Sequence, residues 1–173
     1  DSGGPGRHRG GLGYEKHIRM LKDANFMSIA DRSILSCWGV KGGKAGRPFR
    51  ITIDPDGPNE RNVDALSDSE PVKAGEIIRI RTTGGGGWGD PLDRPTDEVL
   101  RDVVWGKVSL DGARDDYGVI VTGGEDEYAA DEAGTEALRA ERRAQAGDEP
   151  FFDRGPGYAQ LSGGKSSADV DFV

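Results

Sequence analysis

The sequence predicts an α+β protein with strands first and helices after, forming an incomplete part of a larger domain. Three observations carry this expectation. Apolar and polar residues alternate with period two before Pro91, and helical spacing is found only after it. Of the 173 residues, 28 are glycine, against about 12 at an average usage of about 7%. Only 34% are apolar, which is thin for a free-standing core of this size. Either long stretches are loops or something else covers much of the surface. The ordered-looking elements between the glycine runs favour the second. The organisation expected is a strand-rich part with a helical hairpin over residues 1–122, then an exposed helix and irregular tail over 123–173.

Residues 1–11 are punctuated by glycine and read as a loop. Leu12, Tyr14, Ile18 and Met20 alternate with Gly13, Glu15, His17 and Arg19, giving a half-buried first strand. A turn over 22–25 leads to a second short strand over 26–30. Residues 36–48 form a loop. Phe49, Ile51 and Ile53 mark a third strand, closed by the turn Asp54-Pro55-Asp56-Gly57-Pro58-Asn59. A fourth strand, 76–82, follows the Ala74-Gly75 turn, and the strands together read as a β-meander. Pro95 then suits a first helical turn, with Asp97 and Glu98 at the positive end of the dipole. Val99, Leu100, Val103 and Val104 form the helix's apolar stripe, and Gly106 stops it. Ser109 caps a second helix that runs to Tyr117 and ends at Gly118. Residues 119–121 read as a strand and 129–146 as a mostly exposed helix. The tail from Gly147 is irregular, anchored by Phe151, Phe152, Tyr158 and Phe172.

The formal net charge is −8, and no basic stripe is present, which argues against nucleic-acid binding. No apolar run approaches the 18 residues or so of a membrane span, and no signal-peptide pattern opens the chain. The single cysteine, Cys37, cannot form an internal disulfide, so a reducing cytoplasm fits best. Residue 1 is Asp and not Met, which suggests a processed, split or trimmed polypeptide.

The most conspicuous segment is Gly84-Gly85-Gly86-Gly87-Trp88-Gly89-Asp90-Pro91. It matches G-x-G-x-x-G in form, but a dinucleotide site needs a helix beginning within the motif. Asp90-Pro91 stands where that helix would start. The segment reads instead as bare backbone, needed for positive φ or for close approach of another chain segment. Such a backbone can also offer N–H groups to an anion or a partner. Gly164-Lys165-Ser166 ends like a phosphate-binding loop, but position 159 is Ala where the motif needs Gly. His8 and His17 have no partner at ligand spacing, so no metal site is expected. Asp54, Asp56 and Asn59 suit a turn better than a calcium loop, which two prolines and a missing terminal Glu spoil. Cys37 lacks a nearby activator and reads as a small buried hydrophobe. Asp31-Arg32 is either a buried ion pair or a strand-end charge. No Ser-His-Asp arrangement is present, so the catalytic residues are unknown.

The ordered motifs resemble one family. Asp1-Ser2-Gly3-Gly4-Pro5-Gly6-Arg7-His8-Arg9-Gly10-Gly11-Leu12-Gly13 is similar to the opening of the C-terminal part of hydantoinase B/oxoprolinase-type subunits, which are related to acetone and acetophenone carboxylase subunits. Trp38-Gly39 with Gly42-Gly43-Lys44-Ala45-Gly46 resembles the next signature, and the segment from Thr83 to Leu92 the strongest one. Arg101-Asp102-Val103, Val108-Ser109 and the run from Ala113 to Val119 follow in the family's order.

The resemblance implies ATP-dependent hydrolysis of cyclic amides, namely hydantoins, 5-oxoproline or lactams, or the related carboxylation of ketones. It implies two protein partners: the N-terminal portion of the B-type subunit and an A-type subunit that uses ATP. ATP with Mg, and a divalent metal, are expected in those partners and not in this chain, which alone is expected to be inactive. A small-molecule substrate is implied; nucleic acid and membrane are not. A non-catalytic scaffold built on the same fold is the alternative. The candidates for lining a site are Gly84, Gly85, Gly86, Gly87, Trp88, Gly89 and Asp90, together with Asp31 and Arg32.

Overall fold

The computed structural model describes residues 1–124, 127–147 and 151–165. Its architecture is α+β. Four strands form one antiparallel sheet: β1 (Glu15–Arg19), β4 (Arg50–Ile53), β5 (Arg61–Val63) and β7 (Ile77–Arg81), in the order β1-β7-β4-β5. The expected meander is therefore replaced by a different order. The last strand, β7, inserts between β1 and β4, pairing Ile78 with both Ile18 and Ile53. This centre position suits its Ile77-Ile78-Arg79-Ile80 run, the most apolar of the four strands in this sheet.

Two strands escaped the apolar pattern. β5 and β6 (Leu66–Val72) carry Asn62, Ser67, Asp68, Ser69, Glu70 and Pro71, so no period-two apolar signal marks them. β6 pairs antiparallel with β2 (Ala24–Ile29), and a bulge interrupts the register between Phe26 and Ser28. This ribbon lies against the sheet. Val72 and Phe26 join Ile51, Ile53 and Ile78 in the first core. Each such fully buried aliphatic side chain contributes about 1.5–3 kcal/mol relative to exposure.

The second core belongs to the helical hairpin. After a short 3-10 turn at Pro91–Asp93 come α1 (Thr96–Val104) and α2 (Leu110–Tyr117). Gly106 adopts φ 65° and its N–H reaches the Val103 carbonyl at 2.8 Å, ending α1. Ser109 Oγ accepts from Gly112 N–H at 2.9 Å, and Gly118 closes α2 at φ 62°. The buried face of α1 is Val99, Asp102 and Val103, while Val104 points outward. A charged residue thus occupies a place in the stripe that the sequence pattern gave to an aliphatic one.

The later residues return to the earlier ones. β8 (Val121–Thr122) pairs with β9 (Ala129–Ala130), and α3 (Glu132–Gln145) follows, starting later than the expected 129 because β9 occupies those residues. Arg139 donates to the carbonyls of Tyr117 and Arg94, and Arg143 to that of Leu92, which fastens α3 to the hairpin. The tail contains two short elements, β10 (Phe152–Asp153) and α4 (Gly157–Leu161). β10 pairs with β3 (Gly39–Val40), setting Phe152 edge-on to Trp38 at 5.6 Å. Of the four aromatic anchors, Phe172 lies outside the described residues.

Candidate functional site: a glycine clasp beside a cleft

Three glycine-rich segments, residues 2–13, 38–47 and 84–89, run against one another with backbone touching backbone. None of residues 84–87 has a positive φ; within the segment only Gly89 does, at 74°. Of the two needs that glycine can meet, close approach is the one met at residues 84–87. A Cβ at Gly84 would overlap the Ser2 carbonyl, at Gly86 the Trp38 carbonyl, and at Gly87 the Pro5 carbonyl. The opposing strands are equally bare. A Cβ at Gly10 would strike the Gly85 carbonyl, and one at Gly43 the Gly87 carbonyl. A side chain at any of these five glycines would push the segments apart.

Hydrogen bonds then lock the arrangement. Gly84 N–H donates to Arg47 O at 3.0 Å, Gly85 to Gly11 O at 2.9 Å and Gly87 to Lys44 O at 2.9 Å. Trp88 N–H donates to His8 O and Gly89 N–H to Val40 O, each at 2.9 Å. In return the Gly85 carbonyl accepts from Gly4 at 2.8 Å and the Gly87 carbonyl from Val40 at 2.9 Å. Five of the six amides over 84–89 are thus satisfied within the chain. An anion cradle needs such groups to be open. No helix begins inside the motif either, since α1 starts only at Thr96.

Trp88 and Asp90 carry the side chains of this segment. The Trp88 ring is partly exposed, tilted against His8 at 5.5 Å and overlain by the Lys41 ammonium at 5.4 Å. Asp90 Oδ1 accepts from Leu92 N–H at 2.8 Å and so caps the Pro91–Asp93 turn. Its outer side borders a cleft of about 610 Å³ whose wall includes Lys41, Lys44, Asp116, Arg142 and Phe151. Burial, reinforced by neighbouring Asp115, raises the Asp116 carboxyl above its ordinary value; Arg142 and Lys44 pull the other way. The cleft therefore presents both charge signs beside an aromatic edge, a lining suited to a small polar molecule.

Asp31 and Arg32 stand apart from the clasp. Both are exposed at the turn after β2, where Arg32 adopts φ 63° and donates its N–H to Asp31 Oδ1 at 2.6 Å. That is a strand-end turn and not a buried pair. Asp31 lines a second cleft, beside Ile34, Phe49 and Arg50. Cys37 is half-buried. Asp54 closes its turn by accepting from Asn59 N–H at 3.1 Å. Among the described residues no three His, Cys, Asp or Glu side chains converge to hold a metal ion, and no helix is long and apolar enough to cross a membrane.

Two groupings were not anticipated from sequence. Asp102 is buried and takes Arg9 Nε at 2.9 Å and Arg94 Nη2 at 3.0 Å on one oxygen, joining the N-terminal segment to α1. Arg154, also buried, stacks on Trp38, Phe152 and Tyr158 at 5.3, 5.8 and 5.0 Å. In each grouping one partner arrives from far away in the chain, Arg9 at Asp102 and Trp38 at Arg154, and spacing alone carried no sign of that.

Comparison with known proteins identifies the family. Residues 1–91, which contain all three clasp segments, match the family model for hydantoinase B/oxoprolinase. The chain is 38% identical over 149 residues to caprolactamase subunit beta of Pseudomonas jessenii, covering 81% of this chain and 24% of that protein. It superposes on a nucleotide-free acetone carboxylase with a TM-score of 0.67 at 30% identity, covering 83% of this chain and 24% of the other. It superposes likewise on the ATP-dependent caprolactamase of Pseudomonas jessenii with a TM-score of 0.66 at 34% identity, covering 81% and 24%. The chain thus spans about a quarter of the length of these relatives. With the clasp inside the matched region and the same fold in both enzymes, the chain belongs to the hydantoinase B/oxoprolinase family.

Proposed function

We propose that the chain forms the C-terminal, strand-rich portion of a B-type subunit in a cytoplasmic ATP-dependent hydrolase of cyclic amides. The supporting observation is the internal commitment of the clasp amides. A glycine segment whose N–H groups already bind its own chain serves as architecture, which leaves nucleotide chemistry to an A-type partner. In this reading ATP with Mg, and a divalent metal, are held by that partner or by the N-terminal portion of the B-type polypeptide. Asp90, in the wall of the 610 Å³ cleft, contributes to one side of the substrate site, and Trp88 stands behind it under the Lys41 ammonium that also lines the cleft. The test is reconstitution with both partners, followed by mass spectrometry on caprolactam, hydantoin and 5-oxoproline. Ring-opened product that requires ATP supports the reading. An assembly that opens none of them, or opens them equally without ATP, overturns it.

A second reading rests on the acetone carboxylase superposition, which is as close as that on the caprolactamase. Here the same assembly carboxylates a ketone, and ATP-dependent incorporation of labelled bicarbonate into acetone distinguishes it. A scaffold without catalysis is the third. The exposed face of α3 motivates it, although Arg139 and Arg143 tie that helix back to the hairpin. A stable assembly that turns over neither substrate class favours it.

A further inference from the structure

The β2–β6 ribbon has two unlike faces. Phe26 and Ser28 turn inward, and Phe26 packs on the first core. Met27 and Ile29 alternate with them and turn outward, 61% and 81% exposed. Leu66 sits directly opposite Ile29 in the antiparallel register and is 71% exposed. Three large aliphatic side chains therefore stand together on one outer face. A two-stranded ribbon is marginal by itself, and clustered exposed aliphatics mark contact surfaces more than isolated ones do.

The surroundings have the form of an interface rim. Leu66 continues into the second cleft, about 610 Å³, floored by Ile34, Phe49 and Val63. Asp31, Asp64 and Asp68 lie exposed around this apolar centre. Among the described residues none of these three carboxylates has a cation within ion-pair distance, although Arg50 lines the cleft. An apolar centre with a polar rim is the usual anatomy of a protein contact. The rim asks for a partner that brings Lys or Arg around an apolar knob. The relatives sharing this fold have about three-quarters of their chain beyond the matched quarter, which is ample polypeptide to cover such a face.

We propose that the outer face of the β2–β6 ribbon, centred on the Ile29–Leu66 pair, is the docking surface for the N-terminal portion of the B-type polypeptide. The proposal rests on the B-type reading above and assigns that portion its place. Exposed Asp31 then belongs to the rim of this contact.

The test co-expresses the chain with the N-terminal portion of its own B-type polypeptide and follows co-purification and hydrogen exchange. In the wild-type complex, exchange over 24–30 and 64–72 slows at least tenfold relative to the chain alone. The double variant Ile29→Asp, Leu66→Asp reduces co-purification at least tenfold, while its own thermal melt matches wild type because both side chains are exposed. Trp105→Ala, on the helical hairpin, leaves the complex intact. Wild-type yield from the double variant overturns the proposal and leaves the B-type reading standing. So does slowed exchange around Trp105 in place of the ribbon, or capture of the chain by anionic vesicles through this face. Absence of any wild-type complex overturns both. Should the double variant fail to fold, the wild-type exchange pattern alone decides.

Discussion

Gly86 lies so close to the Trp38 carbonyl that no side chain fits between them, while its neighbour Gly85 has room. A Cβ built on Gly85 first meets Gly11 N at 3.1 Å, a tight contact that a shift of a few tenths of an ångström relieves. The four glycines are therefore unequal. Gly86→Ala, Gly84→Ala and Gly87→Ala should each cost on the order of 3–5 kcal/mol or prevent folding, as severe steric changes in a packed interior do. Gly85→Ala should cost about 1 kcal/mol. Urea unfolding of the four variants checks this, and equal losses at Gly85 and Gly86 would contradict the clasp.

Asp102 is the pivot between the N-terminal segment and the helices. Its side chain is 3% exposed and Arg94's is 8%, so the pair sits in a largely dry setting. Removing one member of a buried ion pair leaves the others charged and uncompensated, at a cost of about 3–5 kcal/mol. Asp102→Ala strands Arg9 and leaves Arg94 only the more exposed Glu98, at 3.2 Å, so the loss should reach the lower part of that range. Arg9→Met strands only part of the network, because Arg94 still pairs with Asp102, and should cost less. Chemical denaturation ranks the two; a larger loss in Arg9→Met would refute the assignment of Asp102 as the shared acceptor.

The helical hairpin was largely legible in the sequence, since Ser109, Gly106 and Gly118 fill the capping places their chemistry favours. The apolar strands were legible too, through Ile51, Ile53 and Ile78. What was hidden has a common cause. β5 and β6 are held by partners instead of by an apolar rhythm, as in Arg61 binding Glu70 at 3.0 Å and Glu76 at 2.9 Å. The clasp was visible only as three separate glycine runs. Nothing in their spacing says that Gly43 meets Gly87 or that Gly10 meets Gly85. Asp102 was hidden for a related reason, since a carboxylate in a helical stripe looks like a solvated turn unless its arginines are already known to arrive from residues 9 and 94.

The Arg61–Glu76 pair makes the strand-rich half acid-sensitive. Hydrogen bonding from Arg61, then from the Lys73 N–H, holds Glu76 below its ordinary 4.5. A carboxyl with a depressed folded-state pKa adds stability above its unfolded pKa and loses it as pH falls through the folded one. The melting temperature of wild type should therefore fall below about pH 4.5, and Glu76→Gln should flatten part of that fall. Thermal melts from pH 6 to 3 measure it, and an identical pH slope in the variant would rule out this contribution.

Tyr117 gives the opposite sign at the alkaline end. Burial, which outweighs the pull of Arg94 and Arg9, pushes its phenol up to about 12. Its hydroxyl is buried without a hydrogen-bond partner among the described residues. A raised folded-state pKa means that stability is fully present below the unfolded value of about 10 and drains away as pH climbs toward 12. Tyr117→Phe removes the titrating group and keeps the ring that fills the core beside Val99 and Ala113. It also removes an unpaired buried hydroxyl, whose desolvation costs about 1–3 kcal/mol. The variant should be at least as stable as wild type at pH 7 and should lose less stability between pH 10 and pH 12. Urea titrations at those three pH values decide the matter. A destabilised variant at neutral pH would mean that the hydroxyl has a partner, and the hairpin core would then contain a polar contact and not only a packed ring.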